Sequence, residues 1–394
     1  MRKRLSRSRA IVVALAVFIV FLVIFHGIGN NDSNNEKGED QNAAPFIERD
    51  ILREITPETI DKHSLTIDWE LQKYIADIMR LYRVNFAAVS VMDSSTGDIL
   101  ALYGKNAEMD PPEADTLALD TYLAASVFKI ITALAAIEYG DMTPDTAITF
   151  NGKAHTLYKY QLNHKDGRWT RNTTLANAFA LSNNIVFGKI GTSYIGERPI
   201  LLTAMKMGFW QSPLEECDCT PSTLLIPQSE YNIAEMACGF NRYTYISPVH
   251  AAQIVTAIVN AGAMVRPRLI KDRVIEARQV VDPKTAMHLQ HMMRRTIRNG
   301  TVSHAFRGYK TDRILKHLSL GAKSGTIDGK DPDGRRDWFA GYARDSVSDR
   351  GIAIACLIIR DDYYLIESEG LARKIIRYYF SSHLSAAKGS EKKG

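Results

Sequence analysis

Three short stretches of this chain carry side chains that can do chemistry together: Ser126-Val127-Phe128-Lys129, Ser182-Asn183-Asn184 and Lys323-Ser324-Gly325-Thr326. Serine is a weak nucleophile at neutral pH and needs a base within hydrogen-bond distance. On a helix, residues three apart share a face, so Lys129 stands beside the Ser126 hydroxyl wherever this stretch is helical. A lysine titrates at about 10.4 in water and acts as a base only when neutral, a form that burial and a second cation both favour. Lys323 is the candidate for that cation. The Ser126 N–H, at a helix start, suits a developing oxyanion. Gly325, with no side chain on a strand edge, lets a ligand backbone come close. Together the three stretches read as a serine acyl-transfer site.

Context separates these matches from chance. Ser-x-x-Lys recurs from Ser385 to Lys388 and from Ser390 to Lys393, and Ser-x-Asn recurs from Ser33 to Asn35, all in polar surroundings. By contrast, Ser126 opens an apolar helical run, Ser182 follows the run Leu175 to Leu181, and Lys323 lies in a strand pattern.

In order and spacing the three motifs resemble the transpeptidase domain of class B penicillin-binding proteins. The flanking sequence agrees: Thr66-Ile67-Asp68 with Leu71-Gln72-Lys73, Val91-Met92-Asp93, Thr96-Gly97-Asp98-Ile99-Leu100-Ala101, and Trp338-Phe339-Ala340-Gly341-Tyr342. The likeness covers residues 66–384. It implies an α+β fold of the serine β-lactamase and transpeptidase kind: a five-stranded antiparallel sheet flanked by helices, plus a largely helical subdomain. It also implies roles. Ser126 would be the nucleophile, Lys129 its base, and Ser182 the relay that carries the proton to the leaving amine. Asn184 would bind a substrate amide, while Lys323, Ser324 and Thr326 would hold the terminal carboxylate of a stem peptide ending in D-Ala-D-Ala. The Thr326 N–H would be the second oxyanion donor. Neither metal nor cofactor is implied. The partners implied are peptidoglycan stem peptides, β-lactam antibiotics, and a glycan polymerase or divisome and elongasome proteins.

Three fates compete for the acyl-serine of such a domain: transfer to an amine, transfer to water on peptides, and fast β-lactam hydrolysis. The Glu-x-x-Leu-Asn of class A β-lactamases and the Tyr-Gly-Asn of class D enzymes are both absent from the sequence. A D,D-transpeptidase is therefore expected, with a D,D-carboxypeptidase, a class D-like β-lactamase and a non-enzymatic β-lactam sensor or scaffold as the alternatives.

The chain of 394 residues is 45% hydrophobic and 24% charged, enough for a large core. Its net charge of +5 is concentrated at the two ends, and no basic stripe in the middle suggests nucleic acid. From Ala10 to Phe25 every residue is apolar, so residues 10–29 are expected to span a membrane behind the cytoplasmic basic segment 1–9. A cleavable signal peptide is the rival. The anchor would place the rest on the outer face of a bacterial cytoplasmic membrane, on the periplasmic or extracellular side. Residues 30–65 read as a polar linker, with no room for the pedestal usual in class B members, and 385–394 as a polar tail. In an oxidising compartment Cys217 or Cys219 is expected to bridge to Cys238, and Cys356 to stay a buried strand thiol.

Overall fold

The computed structural model describes residues 46–390, apart from 110, 112, 113, 164–166 and 361–364. Five strands form one antiparallel sheet: β1 (Phe86–Asp93), β2 (Ile99–Asn106), β3 (Leu318–Gly329), β4 (Gly334–Asp345) and β5 (Gly351–Arg360). Their order across the sheet is β3-β4-β5-β1-β2, which leaves β3 at one edge. Eight helices bear on the site: α1 (Trp69–Leu81), α2 (Lys129–Tyr139), α3 (Leu175–Ala180), α4 (Asn184–Lys189), α5 (Glu230–Cys238), α6 (Pro248–Val259), α7 (Pro283–Asn299) and α8 (Ser368–Ser390).

The sequence pattern explains the layers. β5 is apolar along nearly its whole length because helices cover both faces of the sheet, so the usual alternation is lost. On one face, Leu71, Ile75 and Met79 of α1 and Leu371, Ile375 and Ile376 of α8 pack over β1, β4 and β5. Tyr74 stacks on Tyr378 there, with ring centroids 3.8 Å apart. On the other face lies α6, buried throughout, and beyond it the mainly helical half that holds α2. Within that half, small strands also form, pairing Ala147–Asn151 with Thr170–Thr174. Trp338, central in β4, donates its indole N–H to the Leu123 carbonyl at 2.9 Å and so ties the sheet to the segment entering Ser126. Buried Arg336 donates to the carbonyls of Lys330, Pro332 and Gly334 and holds the turn between β3 and β4.

Three expectations change. Part of the stretch read as linker to residue 65 is packed: Ile47, Leu52, Ile55, Ile60 and Leu65 are all buried in the main core. The buried Asp115 carboxylate accepts the Ile55 N–H at 3.0 Å and the Gly104 N–H at 3.2 Å, stitching this segment to β2. Its apolar residues are too widely spaced among charges to register as one element in sequence. At the other end, α8 continues to Ser390, through the first part of the predicted tail. Finally, the expected disulfide does not form, and all four cysteines are free and buried. Cys238 Sγ lies against the Glu235 carbonyl at the end of α5, whereas Cys219 Sγ faces the Leu119 carbonyl. Cys356 is the buried strand thiol expected, opposite Val89 and Phe339.

The predicted membrane span, residues 10–29, lies outside the described residues. Among the described residues no helix is long and apolar enough to cross a membrane.

If residues 46–65 are part of the core, Leu52→Ala should destabilise the domain by about 2–4 kcal/mol, the usual cost of a buried leucine truncation. Urea unfolding of residues 45–394 checks this, and an unchanged midpoint would return the segment to the status of a tether.

Candidate active site

Ser126 sits on a strained turn. A short 3-10 segment, Ala125–Phe128, leads into α2, and Ala125 has φ 49°, a left-handed conformation uncommon outside glycine. Ser126 is thereby left partly exposed at the mouth of a cleft of about 480 Å³, with Lys129 one turn behind it and fully buried. Burial follows from the sequence: the first eight residues of α2, Lys129 to Ala136, are all enclosed, so no polar face offers the lysine an exit to water.

Lys129 Nζ has three neighbours: Ser126 Oγ at 2.7 Å, Asn184 Oδ1 at 2.8 Å and the Cys238 carbonyl at 2.7 Å. Two of these can only accept hydrogen bonds. A neutral amine gives its two hydrogens to those carbonyl oxygens and keeps its lone pair for the one neighbour that can donate, the Ser126 hydroxyl. Burial pushes the Lys129 ammonium down to about 8, against a slight opposing effect of Cys238. The neutral form is therefore accessible near physiological pH.

The second motif turns the corner between α3 and α4. Ser182 adopts φ 54°, and the Asn183 side chain caps α4 by accepting the Val186 N–H at 3.1 Å. Asn184, besides holding Lys129, donates through Nδ2 to the His155 carbonyl at 3.0 Å, which leaves one amide hydrogen for a ligand. The hydrogen bond of Ser182 runs to the third motif: Lys323 Nζ donates to Ser182 Oγ at 3.1 Å and to the Ser324 carbonyl at 2.7 Å. Lys323 is fully buried as well. Burial first, and then the charge of Lys129, push its ammonium well below the ordinary lysine range. The helices on either side of this corner back both amines with aromatic faces, Phe187 at 5.7 Å from Lys129 Nζ and Phe179 at 5.6 Å from Lys323 Nζ.

Strand β3 closes the cleft. A Cβ on Gly325 would lie 3.0 Å from the Ser126 nitrogen, so the strand edge rests directly on the nucleophile turn. Ser324 Oγ is 2.5 Å from Thr301 Oγ1, and Thr326 is exposed along the cleft. All eight residues expected from sequence thus converge: Ser126, Ser182, Asn184, Ser324, Gly325 and Thr326 line the cleft, with Lys129 and Lys323 beneath it.

Other residues complete the site without a motif to announce them. Gly239 has φ 67°, and a Cβ there would lie 2.0 Å from the Ala125 carbonyl oxygen. It ends α5 while letting the Cys238 carbonyl reach Lys129. A glycine after a helical run is a readable helix stop, but its contact with residue 125 is not. Phe179, Phe187, His155 and Thr301 have no such signal in the sequence.

A serine hydroxyl held by a buried lysine, at a helix start beside an antiparallel sheet edge, is the arrangement a serine acyltransferase requires. The model of the penicillin-binding protein transpeptidase domain matches residues 87–377, and the chain belongs to that family. It is 24% identical over 365 residues to penicillin-binding protein PbpB of Mycolicibacterium smegmatis, covering 83% of this chain and 51% of that protein. To penicillin-binding protein 3 of Bacillus subtilis it is 25% identical over 243 residues, 56% of this chain and 34% of that protein. The chain spans about half, or less, of the length of these curated relatives. Penicillin-binding protein A from Mycobacterium tuberculosis, solved as its ceftriaxone acyl-enzyme complex, matches with a TM-score of 0.61 at 22% identity, covering 79% of this chain and 78% of that one. Penicillin-binding protein 3 from the same organism, complexed with ampicillin, matches with a TM-score of 0.64 at 18% identity, covering 81% and 78%. At these identities the solved structures establish the fold.

Gly239→Ala puts a methyl group on the nucleophile turn and should lower both melting temperature and Ser126 acylation, the latter by about tenfold or more. Melting curves and acylation by a fluorescent penicillin check this; full activity in the variant would show that the close approach is dispensable.

Proposed function

We propose that this chain is a membrane-anchored D,D-transpeptidase that cross-links peptidoglycan stem peptides through an acyl-serine at Ser126, and that β-lactams acylate the same serine. One observation carries the reading: Lys129 Nζ is buried, 2.7 Å from Ser126 Oγ, with both other hydrogen-bond positions taken by carbonyl oxygens. Such an amine can hold only the serine proton. The ceftriaxone acyl-enzyme of penicillin-binding protein A and the ampicillin complex of penicillin-binding protein 3 support β-lactam acylation.

In the proposed reaction, Lys129 takes the Ser126 proton as Oγ attacks the penultimate D-Ala carbonyl, whose oxygen gathers charge against the N–H groups of Ser126 and Thr326. Ser182 passes a proton to the departing D-Ala nitrogen. Lys323, Ser324 and Thr326 hold the terminal carboxylate. The acyl group then passes to an amine of a second stem peptide, which releases Ser126 and returns its proton.

The two lysines are complementary here. Two adjacent buried cations repel, so the pair favours holding a single proton. A substrate carboxylate beside Lys323 favours the charged form of that lysine and draws the proton away from Lys129, which makes the base competent as substrate binds.

Transfer is favoured over hydrolysis by the position of the carboxylates. Among the described residues, those lining the cleft are Asp328, Asp337, Glu367 and Glu369, and none hydrogen-bonds Ser126 or Lys129, where it could activate a deacylating water. The apolar segment 10–29 would hold the domain at the membrane, facing the wall.

Intact mass of residues 45–394 after incubation with a fluorescent penicillin should show a long-lived adduct that Ser126→Ala abolishes and Lys129→Ala slows at least about a hundredfold. Rapid loss of the adduct, with hydrolysed drug accumulating, would make the protein a β-lactamase. The acylation rate should rise with pH and level off above about 8, because deprotonation of Lys129 frees its lone pair. A stopped-flow profile that stays flat through that region would remove Lys129 as the base.

A further inference from the structure

A second cavity, of about 200 Å³, shares no lining residue with the Ser126 cleft. Three pieces of chain enclose it: α6 at Gln253, the loop from Gly208 to Pro213, and the region of the paired strands Ala263–Val265 and Ala277–Gln279. At about 200 Å³ it is smaller than the roughly 300–1,000 Å³ of sites for drug-sized ligands, so its occupant has the size of an amino acid or a dipeptide.

Gln253 is the residue that points to an occupant. It lies on a helix buried throughout and is only 7% exposed, and its side chain lines the cavity. Its main-chain carbonyl accepts the Thr256 hydroxyl at 2.7 Å, yet its side-chain amide makes no hydrogen bond among the described residues. Buried amides almost always have partners. One that faces a cavity offers both a donor and an acceptor to whatever enters.

Two further groups define the complement. Arg278, exposed at the rim, donates to the Lys206 carbonyl at 2.9 Å and has no carboxylate within 4 Å among the described residues. The other guanidinium of the lining, Arg266, is already paired with Glu215 and Glu276. Arg278 is therefore the one open to an anion. Ser212 commits its hydroxyl hydrogen to the Leu214 and Cys219 carbonyls, at 2.8 and 3.1 Å, so toward the cavity its oxygen can only accept.

Matched group by group, these side chains ask for an anion at Arg278, an N–H at Ser212 Oγ and a carbonyl at Gln253 Nε2, with the apolar Met264 and Pro213 beside them. A carboxylate, an N–H and a carbonyl within one residue of each other are the groups of an acylated amino acid, which is also the C-terminal unit of a peptide. We infer that this cavity is a second ligand site, which takes an acylated amino acid or a short peptide's C-terminus by its carboxylate and its amide.

The probes are N-acetyl-D-alanine and N-acetyl-L-alanine, each titrated against the full chain by saturation-transfer NMR, with and without a penicillin. At least one enantiomer should bind saturably, and its binding should persist when the penicillin is present. N-acetylalaninamide, which lacks the carboxylate, should bind about tenfold or more weakly. Gln253→Met and Arg278→Ala should each weaken the acid by a similar factor, with melting curves confirming that both variants fold. Should Gln253→Met fail to fold, the exposed Arg278→Ala still decides. Tighter binding of the D enantiomer would identify wall-peptide fragments as the source of the ligand, and of the L enantiomer, peptides of protein origin; either supports the site. The inference is overturned by the absence of saturable binding of both enantiomers, by binding unchanged in a folded variant, or by displacement of the ligand by the penicillin, which would put it in the Ser126 cleft.

Discussion

Two lysines are enclosed, without a carboxylate partner among the described residues, where the edge of the sheet meets the helical half, and much of the site can be understood from that constraint. A buried ammonium with no counter-ion is strongly unfavourable, and the protein meets this by lowering the proton affinity of both amines. Each amine is given oxygen acceptors in place of water: Asn184 Oδ1 and the Cys238 carbonyl for Lys129, Ser182 Oγ and the Ser324 carbonyl for Lys323. Folding is thus made less favourable locally in exchange for a primary amine that can act as a base near neutral pH.

The larger architecture serves to hold that arrangement. Trp338 reaches from β4 to the Leu123 carbonyl, and the Ala124 N–H bonds the Thr244 carbonyl at 2.9 Å, so the nucleophile turn is fixed from the sheet and from the helical half together. The left-handed residues Ala125 and Ser182 mark where the chain is bent to bring three motifs into one cleft. With α6 wholly enclosed and α2 enclosed over its first eight residues, the site rests on a rigid bed, and the proposed catalysis requires that its hydrogen-bond geometry not drift.

Much of this was readable from the chain. The continuous apolar runs of β1 and β5 and the amphipathic run of α1 are visible in the sequence, because in these stretches local pattern and tertiary burial agree. The motif residues were legible because their types are chemically demanding and their spacing is fixed. What escaped notice depends on backbone or on contacts distant in sequence. The Cys238 carbonyl is a main-chain atom that any residue would supply, and Gly239 is needed for its approach to Ala125, more than a hundred residues earlier. Segment 46–65 was misjudged because its apolar residues bury themselves individually against the rest of the core, not along one periodic face. The expected bridge to Cys238 followed from compartment chemistry alone, and the fold places the thiols in separate pockets.

The central claim, that Lys129 and Lys323 are two buried amines with depressed proton affinity, can be observed directly. Residues 45–394 labelled with ¹³C at lysine Cε would be titrated by NMR, with Lys129→Arg and Lys323→Arg used to assign the two buried resonances. The account predicts that the Lys129 signal titrates near 8 and that the Lys323 signal titrates well below the ordinary lysine range. Two resonances that both titrate near 10.4, like solvent-exposed lysines, would contradict it.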